Sequence, residues 1–183
     1  GTKYGISNIS HNGMKLSDFK KIIKYSLKKK INILDTANTY FNSEKKIGKV
    51  VKELNCQKQL KIITKLHNLK SIPAKQIEKK IINKCKLSIK KLKIKKLYAV
   101  LIHDIKDLKS TKSKIIFKSI LKLKKIGLVQ KIGFSSYEIN DLNKYIIKYK
   151  FDIIQFPFNI FDQRILKKKT QLILKKRKIE VHI

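Results

Sequence analysis

The stretch LKIITKLHNLKSIPAKQIEKKIINKCKLSIKKLKIKKLYAVLIHD, residues 60–104, holds one complete strand, helix and strand in succession. Leu60 to Lys65 and Leu97 to His103 are short apolar runs, and Pro73 to Leu92 between them reads as a helix. Pro73 stands near its start, where a missing N–H costs nothing. The two runs are apolar almost throughout instead of alternating. That pattern indicates burial on both faces, as in a parallel sheet covered by helices.

The same alternation continues in both directions. Strands are expected at Ile31 to Asp35, Lys131 to Ser135, Phe151 to Phe156 and Ile179 to Ile183. Helices are expected at Leu16 to Lys30, Ser43 to Leu54, Ser113 to Ile126, Ile139 to Tyr149 and Gln163 to Lys176. The first helix carries Leu16, Phe19, Ile22, Ile23 and Leu27 on one stripe, with Ser17 and Asp18 as its capping residues. Gly127 is expected to stop a helix, and Gly133 to mark a close backbone approach within a strand.

A repeated strand and helix order fits either a closed (β/α)₈ barrel or an open doubly wound sheet. The polar residues favour the barrel. Asp35, Lys65, His103, Ser135 and Gln155 each stand at or near the C-terminal end of a successive strand, and only a barrel brings all such ends to one mouth. No glycine-rich GxGxxG turn follows any strand, so the usual open-sheet dinucleotide fingerprint is missing. The run ending at Ile183 is counted as about the seventh strand, and an eighth has no candidate. The expectation is a single domain over residues 1–183, an incomplete TIM barrel lacking strand eight and the C-terminal helices.

With 183 residues, 42% of them hydrophobic, the chain can bury one sizeable core. No apolar run is long enough for a membrane span and no signal-like start is present, so a cytoplasmic, soluble protein is expected. Cys56 and Cys85 lack CxxC spacing and a nearby histidine pair; they read as reduced thiols, with no metal site. The net charge of +34 would ordinarily suggest a polyanion partner. Yet the excess is almost all lysine, spread over every helix, and only Arg164 and Arg177 supply the bidentate fork that reads phosphate or guanine. Lysine and isoleucine share AT-rich codons, so drift with solvated outer faces is the simpler reading, and no specific nucleic-acid partner is expected.

The chemistry gathers in INILDTANTYFNSEKKIG (31–48) and LKIITKL (60–66). Asp35 ends one strand, Tyr40 follows five residues later, and Lys65 ends the next strand. A phenol near pKa 10 needs an electropositive neighbour to act as a proton donor at neutral pH. A lysine ammonium about 4 Å away contributes roughly 4 kcal/mol at an effective dielectric of 20, or about three pKa units. An aspartate beside that lysine offsets part of the effect, so its role is to orient the ammonium and keep it charged.

DTANTY (35–40), SEKKIG (43–48), ITK (63–65), LIHD (101–104), GLVQKIGFSS (127–136) and IIQFPFN (153–159) fall in the order seen in aldo-keto reductases, and the resemblance covers most of the chain. The opening GTKYGISN (1–8) resembles a bacterial branch of that family. The resemblance implies NADPH-dependent reduction of a small-molecule carbonyl substrate. It makes Tyr40 the proton donor, Lys65 and Asp35 its tuning residues, and His103 the group that orients the carbonyl. It places the nicotinamide carboxamide on Ser135, Ser136 and Gln155, with Asp35 also near the cofactor. Two departures are visible. Ser136 replaces a common asparagine, which weakens one amide contact, and Phe41 replaces the glycine common after the tyrosine, which narrows the mouth or makes it more apolar. The family's grip on the adenosine phosphate falls in the region without a candidate here, so weak or no NADPH binding is expected of residues 1–183 alone.

Other readings compete. A barrel kept as a non-catalytic cofactor-binding or regulatory module is one, and a lysine-rich polyanion binder is another. His11, His67 and His182 read as ordinary hydrogen-bonded histidines, and Ser43 and Glu44 as an N-cap and a first-turn acid.

Overall fold

A computed structural model describes residues 14–183; the opening GTKYGISN and His11 lie outside the described residues. Seven helices and six strands follow one another as α1 (Leu16–Lys28), β1 (Ile33–Asp35), α2 (Ser43–Glu53), β2 (Lys61–Leu66), α3 (Ile77–Leu92), β3 (Leu97–Ile102), α4 (Lys106–Lys109), α5 (Ser113–Lys125), β4 (Val129–Ser135), α6 (Ile139–Lys148), β5 (Ile153–Gln155), α7 (Lys168–Lys176) and β6 (Glu180–His182). Every expected run therefore becomes a strand. The described residues hold six strands, not the seven counted from the sequence.

All five pairings are parallel and the spatial order is β1-β2-β3-β4-β5-β6. A doubly wound sheet would reverse direction at a switch point. This order never reverses, and the sheet curls into part of an incomplete (β/α)₈ barrel. β2 and β3 are buried along nearly their whole length, as their uninterrupted apolar sequences require.

Two apolar clusters divide the sheet's faces. The larger joins outward residues such as Ile62, Val100, Ile132 and Ile154 to the helices' inner stripes, including Ile47, Ile81, Ile116 and Leu142. The smaller, Ile63, Ala99, Leu101 and Ile153, fills the lumen side. Lumen packing also depends on Gly133, where an added Cβ would lie 1.9 Å from the Ile153 carbonyl oxygen. β4 and β5 approach too closely there for any side chain. Gly127 stops α5 with φ +75°, the left-handed conformation that favours glycine.

Lower in the lumen sits a polar plug. Glu180 accepts hydrogen bonds from Lys131, from the Tyr98 hydroxyl at 2.6 Å and from His182 Nε2 at 2.5 Å. Burial disfavours the Glu180 carboxylate, but these three bonds outweigh it and hold its pKa at about 2. His182 is thus a structural histidine.

Several local expectations change. Lys15, not Ser17 or Asp18, is the N-cap of α1, and no side chain caps it; Asp18 lies in the first turn, where the helix dipole favours it. Ser43 is the first residue of α2, behind Asn42 as N-cap. α4 was not anticipated; its Asp107 is buried and accepts a bond from the Lys70 amide at 2.8 Å, tying the loop after β2 to the loop after β3. Cys56 and Cys85 are free and buried, and burial pushes the Cys85 thiol up to about 12.

Candidate active site

Strand register alone gathers the polar residues. Partners across a parallel ladder point to the same face, and so do alternate residues along a strand. Asp35 pairs with Ile63, Lys65 with Leu101, Ser135 with Gln155, and Gln155 with His182. Ile63, Leu101 and Ile153 face the lumen. Asp35, Lys65, Ser135 and Gln155 therefore face it too, as does His103, two residues beyond Leu101. All stand at the C-terminal ends of their strands, where barrel chemistry is done.

Lys65 is almost fully buried, and its ammonium donates to Asp35 Oδ2 and, at 3.3 Å, to the Thr36 carbonyl oxygen. Burial drives the Lys65 pKa down, while Asp35 acts in the opposite direction. The aspartate thus opposes the loss of the lysine's charge that burial favours. Tyr40, half-buried, lies with its ring centroid 5.6 Å from Lys65 Nζ and 5.9 Å from the His103 ring, which it meets edge to face.

The expected depression of the Tyr40 pKa does not occur. Burial raises it, and Asp35 and Tyr137 raise it further. The reason is geometric. Lys65's charge is turned to Asp35, so the net field at the phenol is that of an ion pair near a desolvated hydroxyl. Tyr40 is held firmly protonated, a reservoir for one proton.

His103 continues the ladder through its amide, which donates to the Leu66 carbonyl oxygen at 2.9 Å. Burial lowers its pKa, and Lys65 and His67 lower it further. The imidazole is neutral at pH 7. Its Nδ1 is buried with no hydrogen-bond partner among the described residues. His67, exposed on the loop after β2, packs edge-on against His103 at 5.6 Å. It is a mouth residue and not the hydrogen-bonded core histidine expected; nothing in its sequence context marks it, because the contact depends on the β2 and β3 register.

Ser135 and Gln155 lie side by side at the tops of β4 and β5, half-buried, and neither side chain has a hydrogen-bond partner among the described residues. Ser136 differs. Its amide donates to the Gln155 carbonyl oxygen at 3.0 Å, and its hydroxyl exchanges bonds of 3.1 Å with the backbone of Glu138. That hydroxyl is folded into its own turn. Phe41 is 85% exposed and adopts φ +36°, a left-handed conformation that favours glycine. Arg164, one of only two arginines, is occupied by Asp162 through two bonds of 2.8 Å and lies over Phe156.

Comparisons with known proteins bear on the fold and the family. The chain is similar in fold to a protein of Pseudomonas aeruginosa described as an aldo-keto reductase, at 15% identity and TM-score 0.76, over 99% of this chain and 69% of that one. It is similar to the holo form of an aldo-keto reductase from Bacillus halodurans, at 20% identity and TM-score 0.75, covering 92% and 57%. A Klebsiella pneumoniae aldo-keto reductase solved in complex with NADPH matches at 14% identity and TM-score 0.71, covering 91% and 56%. The chain therefore spans between about half and two thirds of the length of these proteins. No curated protein sequence matches significantly. The sequence model of the Aldo/keto reductase family matches residues 3–181, nearly the whole chain, and the chain belongs to that family.

Proposed function

We propose that this chain carries the catalytic face of an NADPH-dependent carbonyl reductase that converts an aldehyde or ketone to an alcohol. One observation carries the reading: a protonated tyrosine, a buried lysine–aspartate pair and a neutral histidine converge at the open ends of three neighbouring strands. Tyr40 donates the proton to the carbonyl oxygen. Lys65, paired with Asp35, sets its ammonium beside the ring, where it offsets part of the cost that burial and Asp35 place on the phenolate that remains. Neutral His103 offers a hydrogen bond that orients the carbonyl.

The residues fit a nicotinamide cofactor. A carboxamide needs both a donor and an acceptor, and the Gln155 amide and Ser135 hydroxyl, adjacent at the tops of β5 and β4, supply both. Ser136, committed to its turn, fits this role less well than expected from sequence. Reduced NADPH would supply the hydride. The Klebsiella relative solved with NADPH supports this choice of cofactor.

Arg164, one of the two arginines, is engaged by Asp162 and does not hold its fork free for a phosphate or a base. Among the described residues no helix is long and apolar enough to cross a membrane. The test is NADPH oxidation, followed at 340 nm, by the product of the complete reading frame with a panel of aldehydes and ketones. Saturable, carbonyl-dependent oxidation is expected; none with any carbonyl would sink the proposal.

A further inference from the structure

Behind the catalytic face lies a second polar group that the reaction does not use. Thr36 follows Asp35, and Thr64 precedes Lys65, so along each segment a threonine is next to a catalytic residue. Both threonines are fully buried. The Thr36 and Ser43 hydroxyls share a hydrogen bond of 3.0 Å, and Thr64 Oγ1 donates to Glu44 Oε1 at 2.8 Å. Ser43 and Glu44 open α2, and the segment between Thr36 and Ser43 carries Tyr40. The same segment is joined to β2 by its backbone, through Thr36 N to Ile63 O at 2.9 Å and Asn38 N to Lys65 O at 3.2 Å.

An acid in the first turn of a helix is favoured by the dipole wherever it stands. That explains neither the burial of Glu44, 3% exposed, nor its threonine partner. Glu44 Oε2 has no hydrogen bond among the described residues, only the Lys91 ammonium of α3 at 3.9 Å. A carboxylate is costly to bury, so its presence calls for a role that an apolar residue could not fill. A directional bond to one residue of β2 fixes position in a way that apolar packing does not.

We propose that Ser43 and Glu44 are positioning residues that, through Thr36 and Thr64, lock the Tyr40 segment to the strands carrying Asp35 and Lys65. The inference rests on the reductase reading for its catalytic consequence, but the brace can be measured separately. A loosened Tyr40 weakens the transition state more than it weakens substrate binding, so the loss falls on kcat while KM changes little.

The experiment compares Thr64→Val with its rescue Thr64→Ser in the complete gene product, and Ser43→Ala with Ser43→Thr should Thr64→Val fail to fold. Hydrogen exchange is read over residues 36–43 and over β4, beside kcat, KM and NADPH affinity. For the disabling variant, exchange at 36–43 should speed up about tenfold or more while β4 is unchanged. Its kcat should fall about tenfold or more with KM within about twofold, and the rescue variant should restore both. Wild-type kcat in Thr64→Val, or exchange that rises equally in β4, would overturn the brace. If the wild type reduces no carbonyl, the reductase reading fails and exchange at 36–43 still decides whether the brace exists.

Discussion

The Asp35–Lys65 pair allows a double-mutant cycle whose energies follow from unequal burial. The Lys65 side chain is 3% exposed and that of Asp35 is 29% exposed. Lys65→Met leaves a carboxylate that water can still reach, and should cost only about 1–2 kcal/mol. Asp35→Asn strands an ammonium that water cannot reach, and should cost about 3 kcal/mol. Burial already lowers the Lys65 pKa with Asp35 opposing it, so Asp35→Asn also drives the lysine toward its neutral form. The double variant buries no charge. It should be more stable than the sum of the single losses predicts, by about 1–3 kcal/mol. Urea unfolding at pH 7 gives all four corners. Additivity within about 0.5 kcal/mol would show that the two charges are not coupled and would refute the account of how Lys65 stays protonated.

Gly133→Ala places a Cβ 1.9 Å from the Ile153 carbonyl oxygen and must separate β4 from β5. A loss of roughly 3 kcal/mol or more is expected in urea unfolding, and a loss under about 1 kcal/mol would contradict the close approach. Phe41→Gly removes a left-handed phenylalanine with little buried surface to lose, and should raise stability by about 1 kcal/mol by thermal unfolding; a decrease would show that Phe41 packs against something. Glu180 has its folded pKa depressed from 4.5 to about 2, so its contribution of roughly 3 kcal/mol is fully present above pH 4.5 and disappears as pH falls through 2. Glu180→Gln should therefore flatten the stability-versus-pH curve in that window, and an unchanged curve would remove Glu180 from the acid transition.

The barrel was legible because burial on both faces leaves uninterrupted apolar runs, and because parallel register then forces strand-end residues such as Lys65 and His103 onto one mouth. What escaped depended on the third dimension. Glu44 looks like any first-turn acid until β2 brings Thr64 beneath it. His67 gains its His103 neighbour only through the β2–β3 pairing. The direction of the Tyr40 pKa was misjudged because sequence shows that a lysine is near but not where its charge is turned. The resemblance placed Ser136 beside the cofactor, and no sequence feature shows that its hydroxyl also closes a local turn with Glu138. The short α4 has no periodicity to reveal it, and capping of α1 at Lys15 leaves no side-chain signature.

The central claim is that the Tyr40 hydroxyl delivers the proton. The most direct test compares wild type and Tyr40→Phe, in the product of the complete reading frame, for carbonyl-dependent NADPH oxidation and for NADPH binding by nicotinamide fluorescence. The phenol contributes only its O–H to the transition state, so kcat should fall by about 10²–10⁴-fold with cofactor affinity nearly unchanged. Turnover within a few-fold of wild type would contradict the claim and move the proton donor elsewhere.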